Sequence, residues 1–231
     1  ADRGHLKALR DLCLVLYENN NYINNQDEIL KYLKMGIERG DDIAMNGYAT
    51  LLIQGKLKNE SKEDSIKYLK MACLRGNVVA MYNYGMMLYL GNVVEVNKEE
   101  GKKYLKMASD RGSDSAAFNL ASIFYKENGG KGNEEIAKYY KIAADKGHIE
   151  AIKTYAALLY AGNGIPIDRE EGKKYLKIAI DKGDANSMYY LSLFIFNFEV
   201  SNREEAFKYL KMAADNGFVK AMNEYGSILY Y

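Results

Sequence analysis

At 231 residues the chain carries 32 Lys and Arg against 31 Asp and Glu, a net charge of +1, with 48% hydrophobic residues and a single proline. Near-neutrality argues against nucleic-acid or membrane-surface binding driven by bulk electrostatics. No apolar run approaches the roughly 18 residues that a membrane-spanning helix needs, so direct membrane insertion is not expected.

A nine-residue phrase returns six times: YLKMGIERG at Tyr32–Gly40, YLKMACLRG at Tyr68–Gly76, YLKMASDRG at Tyr104–Gly112, YYKIAADKG at Tyr139–Gly147, YLKIAIDKG at Tyr175–Gly183 and YLKMAADNG at Tyr209–Gly217. A cut-off copy, ADRG, opens the chain and ends at Gly4. Successive closing glycines are 36, 36, 36, 35, 36 and 34 residues apart. A fixed period of this size marks a stacked array of repeats.

Taken in order, the chain reads as alternating helices, A and B. After the ADRG tail comes a first helix A, with Ala8, Leu12, Cys13 and Leu16 on one face, then a helix B that ends at Gly40. The next helix A carries Ala44, Tyr48, Ala49 and Leu52, and its B ends at Gly76. Ala80, Tyr84, Gly85 and Leu88 repeat the pattern before Gly112; Ala116, Leu120, Ala121 and Phe124 before Gly147; Ala151, Tyr155, Ala156 and Leu159 before Gly183. Ser187, Leu191, Ser192 and Ile195 precede Gly217, and Ala221, Tyr225, Gly226 and Leu229 form a last helix A. The spacings of 4, 1 and 3 put each set on one helical face, with small residues where a neighbouring helix comes close. Before helix B stand capping signals, Asn25 with Glu28, Ser61 with Asp64, Asn97 with Glu100 and Asp168 with Glu171. The closing glycine suits the left-handed position after a helix. The prediction is an all-α, αα-hairpin superhelix, right-handed, of about six repeats of 34–36 residues in one solenoid over 1–231, with seven A helices, six B helices and no strand.

Helix B carries two lysine ladders. Lys31, Lys67, Lys103, Lys138, Lys174 and Lys208 lie nine residues before the glycines, and Lys34, Lys70, Lys106, Lys141, Lys177 and Lys211 six before. An acid stands four residues before each lysine of the first ladder (Asp27, Glu63, Glu99, Glu134, Glu170, Glu204). Glu38, Asp110, Asp145, Asp181 and Asp215 stand four after those of the second. Such pairs neutralise a helix surface, so this stripe is expected to be a solvated outer face rather than a binding site.

The phrase, the small helix-A residues, YGMMLY at Tyr84–Tyr89, YGSILY at Tyr225–Tyr230 and the loop GNGIPIDREEGKKYLKIA at Gly162–Ala179 resemble the Sel-one-like repeat family, relatives of tetratricopeptide repeats. The resemblance covers essentially the whole chain. GKLKNES at Gly55–Ser61 and NFEVSN at Asn197–Asn202 depart from the family's loop. The resemblance implies a non-catalytic adaptor that binds a protein or peptide. It also implies, as the alternative, a regulatory or substrate-recruiting segment of a larger enzyme, such as a kinase, or of an endoplasmic-reticulum quality-control complex.

No catalytic constellation stands out and no cofactor or metal is implied. His5 and His148 directly follow repeat glycines four repeats apart, tens of ångströms at about 8–10 Å per layer, and read as turn residues. Gly162-Asn163-Gly164 and Gly129-Gly130 lack the strand and the GK[ST] of a phosphate loop and read as turns. Tyr17, Tyr89, Tyr125, Tyr160 and Tyr230 read as packing rather than a platform for bases, and nucleic acid is not an expected partner. Cys13 and Cys73 read as buried small hydrophobes, which favours a reducing, cytoplasmic compartment. The sequon Asn59-Glu60-Ser61 keeps the endoplasmic-reticulum lumen as the alternative.

What remains is the helix-A face, at three, six, seven, ten and fourteen residues past each glycine, expected to line a concave surface. There the candidates for partner binding are Val79, Tyr82, Asn83 and Met86, then Phe118, Asn119 and Ser122, then Tyr189. Finally, the chain starts in a helix-B tail and stops after a helix A, which leaves Tyr225, Gly226 and Leu229 without a covering helix B. The expectation is a segment of a longer array, with self-association through that open face.

Overall fold

The computed structural model describes residues 26–57 and 61–230. The expected first helix A with Cys13, the Asn25 cap, His5 and the Asn59 sequon lie outside them. Twelve α-helices occupy the described residues, and no strand does. The B helices are α1 (Gln26–Glu38), α3 (Asp64–Leu74), α5 (Lys98–Asp110), α7 (Glu134–Asp145), α9 (Arg169–Asp181) and α11 (Arg203–Asp215). The A helices are α2 (Asp42–Ile53), α4 (Val78–Leu90), α6 (Asp114–Glu127), α8 (Ile149–Ala161), α10 (Ala185–Phe198) and α12 (Val219–Tyr230). The chain divides into two units, 1–116 and 117–231, and both are built of these hairpins. The architecture is an all-α helical-repeat solenoid.

Each passage from helix B to helix A is made the same way. The six closing glycines adopt φ between 77° and 94°, where a side chain would clash with the backbone. The residue that follows donates its N–H back into helix B: Asp41 to Gly36 O at 2.9 Å, Asn77 to Ala72 O at 3.1 Å, Ser113 to Ala108 O at 3.0 Å, His148 to Ala143 O at 3.1 Å, Asp184 to Ala179 O at 3.1 Å and Phe218 to Ala213 O at 3.0 Å. These are the long bonds of a Schellman stop. In five cases the same residue then starts helix A, because its side chain accepts a hydrogen bond from the first turn. The donors are the N–H groups of Ile43 (3.2 Å), Ala80 (2.7 Å), Ala116 (3.1 Å), Ala151 (3.2 Å) and Ser187 (2.7 Å). Sequence reading placed caps only before helix B and missed this series.

Before helix B, Asn97 and Asp168 cap as expected, accepting from the Glu100 N–H at 3.1 Å and the Glu171 N–H at 2.9 Å. Asn133 does the same for Ile136 at 2.9 Å. Ser61 is a correction: its hydroxyl accepts from the Glu63 N–H at 3.3 Å in a turn, and α3 begins only at Asp64. In the loop after α4, Val93 sits at φ 71°, the position that Gly164 fills at 77° after α8. A β-branched residue there is strained.

The cores form where the small residues let helices meet. In the first unit the α4 and α5 backbones touch: a Cβ on Gly85 would lie 3.0 Å from Gly101 O, and one on Gly101 2.8 Å from Gly85 O. In the second, a Cβ on Gly172 would come within 2.8 Å of the Tyr160 ring. Tyrosines lock three of the A helices, α2, α4 and α8, to the following B helix edge-to-face: Tyr48 on Tyr68 and Tyr84 on Tyr104 at 4.8 Å, and Tyr155 on Tyr175 at 5.1 Å. α12 is the exception. Only Ala221 is buried on it, and Leu229 is 70% exposed.

Ala108 has no exposed surface, and its carbonyl anchors the turn into α6. Ala108→Leu should therefore overpack the first unit and lower its unfolding free energy by about 1–3 kcal/mol in urea melts.

Candidate protein-binding face

In the first unit, α4 buries Ala80, Met81, Tyr84, Met87 and Leu88. Helical geometry then turns Val79, Tyr82, Asn83, Met86 and Leu90 the other way. Val79 and Leu90 are each 55% exposed, while Tyr82, Asn83 and Met86 are half-buried. Asn83 donates one amide N–H to Asn46 Oδ1 on α2 at 3.0 Å, which ties the two A helices together on this face. The result is an apolar strip of Val, Tyr, Met and Leu with one amide in its middle.

The second unit treats its candidates differently. Phe118 is half-buried, its ring stacked on His148 at 4.5 Å and tilted against Tyr140 at 5.9 Å. Ser122 donates to Phe118 O at 2.9 Å and accepts from the Tyr140 hydroxyl at 3.2 Å. Asn119 beside them is half-buried. Tyr189 is a correction. It is only 8% exposed, packs on Phe218 at 5.1 Å, and donates its hydroxyl to Glu224 Oε1 at 2.6 Å. The cause is Phe218, an aromatic in the slot where the other junctions carry a capping residue. Its neighbour Tyr190 faces outward instead, with the Lys153 ammonium 5.7 Å from its ring.

The residues that suggested chemistry have structural employment. His148 caps α8 through Nδ1 while its ring covers Phe118. Burial pushes the Cys73 thiol up to about 11, far from the thiolate that nucleophilic chemistry needs. Asn163 accepts from the Gly132 N–H at 3.1 Å and donates to the Tyr125 hydroxyl at 3.2 Å, so its loop is fastened to the preceding one. Tyr160 is fully buried, stacked on Phe194 at 4.8 Å. Among the described residues, no three His, Cys, Asp or Glu side chains gather as a metal would require.

All six lysines of the first ladder are exposed. In the second, Lys141 departs from the expected pairing with Asp145. It reaches across to the next B helix, donating to Glu171 at 2.8 Å and the Tyr175 hydroxyl at 2.7 Å, and lies 5.0 Å from the Tyr175 ring. Asp145 accepts from Tyr175 instead. Burial works against the ammonium, but these two hydrogen bonds outweigh it and hold Lys141 above its ordinary range. Tyr175 is pushed up to about 12, by burial first and then by donating to Asp145.

A family model for the Sel1 repeat matches residues 42–77, 78–113, 114–148, 154–184 and 185–218. The chain belongs to the Sel1 repeat family. Four of the five matches start two residues past a closing glycine, so the repeat unit is helix A with the helix B that follows. No curated protein matches the chain in sequence. Among solved structures, a Sel1 repeat protein from Oxalobacter formigenes superimposes with a TM-score of 0.73 at 24% identity, over 94% of this chain and 89% of that one. A protective antigen of uropathogenic Escherichia coli that displays an SLR fold gives a TM-score of 0.77 at 19% identity, over 97% of this chain; the match spans about half, 51%, of the antigen. Both likenesses are of fold. Sel1 repeats are commonly protein-interaction scaffolds and generally non-enzymatic. No helix among the described residues is long and apolar enough to cross a membrane.

Two outcomes follow from the electrostatics. His148→Ala should cost about 1 kcal/mol through the lost cap, whereas His148→Asn, the residue type at the Asn77 junction, should recover that part in the same thermal melts. Burial and the hydrogen bond to Asp145 push Tyr175 up to about 12, and the hydrogen bond to Glu224 and burial push Tyr189 up to about 12. The folded state therefore favours the neutral phenols. Their contribution is complete below the unfolded value of about 10 and disappears as pH rises towards 12. Tyrosinate absorbance of the native protein should lag behind that of the urea-unfolded chain, and stability should fall over that window.

Proposed function

We propose that this chain is a non-catalytic scaffold that binds a partner protein or peptide through helix-A faces, foremost that of α4. The observation that carries the reading is the outward strip of Val79, Tyr82, Asn83, Met86 and Leu90, largely apolar, exposed at its two ends and half-buried between them. Apolar anchors with a central hydrogen-bonding amide suit a peptide: side chains seat between Tyr82 and Met86, and the Asn83 amide meets backbone. In the second unit, Phe118, Asn119 and Ser122 offer a smaller surface, because Ser122 is spent on Tyr140 and Phe118 is partly covered by His148. Sel1 family membership supports the scaffold class, and the neighbours' fold agrees with it.

Affinity capture with the intact chain, quantified against variants, tests this. Tyr82→Ala and Met86→Ala should each weaken retention of a specific partner by about 1 kcal/mol or more. Lys103→Ala and Lys138→Ala on the exposed first ladder should leave it unchanged. Equal losses from both faces would remove the basis for the α4 face.

A further inference from the structure

Neighbouring A helices touch at one repeated pair of positions. The residue seven past a closing glycine meets the residue six past the glycine before it. Asn83 donates to Asn46 Oδ1 at 3.0 Å, Tyr190 has the Lys153 ammonium 5.7 Å from its ring centre, and Glu224 accepts from the Tyr189 hydroxyl at 2.6 Å. The first pair lies in the first unit and the other two in the second. Each ties one A helix to the next, yet the three differ in chemistry. Lys153 and Glu224 bring charge, and Lys153, only 6% exposed, is also held by Glu150. The asparagine pair is neutral on both sides.

That pair is also incompletely used. A carboxamide offers a carbonyl oxygen and an amino group. The bond between the two side chains engages the Asn83 amino group and the Asn46 carbonyl, and neither side chain makes another hydrogen bond among the described residues. The Asn83 carbonyl and the Asn46 amino group are left over, one acceptor and one donor (turning both amides over exchanges the owners but not the count). Both residues are half-buried, partly withdrawn from the water that would otherwise satisfy them. A matching ligand must bring a donor and an acceptor on one edge. A carboxylate brings acceptors only, and an ammonium or guanidinium donors only, so each leaves half of the pair unmet. One residue of an extended chain brings both, because its N–H and C=O point the same way, as between paired strands. A helical segment has already spent these groups internally.

We infer that Asn46 and Asn83 together form a subsite for an extended segment of the partner, holding one of its residues by both the backbone N–H and the backbone C=O. The inference rests on the scaffold reading above and deepens it in two respects. Asn46, on α2, becomes a binding residue beside the α4 strip. The partner segment is extended at this point and recognised through its backbone rather than through a charged side chain. Val79 and Met86 stand four residues before and three after Asn83, on the same side of α4, and offer apolar surface to the neighbouring side chains of that segment.

The test selects a peptide from a random dodecapeptide display library on the full chain and then alters the peptide backbone one residue at a time. N-methylation deletes an N–H, and a thioamide weakens a C=O as an acceptor. One residue should respond to both changes, each costing about tenfold in affinity. Asn46→Leu and Asn83→Leu should each bind the unaltered peptide about tenfold more weakly, and each should abolish one of the two responses. A side chain that only supported the tie between α2 and α4 would leave both responses in place. Circular dichroism checks that the variants fold, and the altered peptides probe the same contact on the unaltered chain. A peptide that tolerates both changes at every residue, a requirement for an Asn or Gln side chain instead, or selection of no peptide overturns the inference. So do responses that persist in both variants. If Tyr82→Ala and Met86→Ala weaken the peptide while both asparagine variants bind normally, the scaffold reading stands and this subsite falls. If all four bind normally, the α4 face falls with it.

Discussion

The structure depends on one junction, used six times. A glycine with positive φ stops helix B, and the next residue donates its N–H to the small residue four before that glycine. At five junctions the same residue then accepts from the first turn of helix A, so one side chain and one peptide group end one helix and start the next. Both are orphan groups that would otherwise cost free energy at helix ends. Because the two satisfactions share a residue, the direction of helix A is set by the end of helix B. At five junctions the side chain varies in chemistry from Asp and Asn to Ser and His yet keeps an acceptor. Phe218 lacks one and compensates through aromatic packing on Tyr189.

That junction determines what is left for function. With the hairpin geometry set, positions four, eight, nine and twelve past the glycine are consumed by packing, and backbone contacts such as Gly85 against Gly101 leave no slack there. The freedom lies on the remaining helix-A positions, at the turn edges and on the outer lysine face. The repeats differ most at these places: Asn83 bonds to Asn46, Ser122 bonds to Tyr140, and Leu74 occupies an acid slot. A solenoid of this kind specifies its partner by altering surface residues of individual repeats while each repeat keeps the same core.

Lateral contacts between neighbouring helices add a second layer. Lys141 illustrates it: the ammonium reaches the next B helix, where the Glu171 carboxylate and the Tyr175 phenol meet it, with the Tyr155 ring of α8 also close. A pair along one helix offers a carboxylate alone, and exposed pairs of that kind contribute little. Lys173 behaves likewise with Glu205 at 2.8 Å. The tyrosine pairs Tyr48–Tyr68, Tyr84–Tyr104 and Tyr155–Tyr175 do the apolar part of the same work.

The sequence by itself determined the repeat, its period, the alternation of helices and the residues of the core, because period and small-residue spacing are properties of a single helix face read along the chain. It determined the stopping glycines for the same local reason. Tertiary structure decided everything that needs a partner more than one turn away. The caps at Asp41, Asn77, Ser113, His148 and Asp184 are local by contrast, each side chain accepting from an N–H two or three residues on, and an acceptor directly after the closing glycine is the signal that could have found them. Tyr189 and Tyr190 are adjacent letters, yet one is buried under Phe218 and the other exposed, since 100° of helical rotation separates them and only the neighbouring helix says which side is covered. Lys141 chose Glu171 over Asp145 because stacking brought a better-equipped partner within reach. Local pattern sets what each helix is; the neighbour it packs against sets which side chains are spent and which remain to bind.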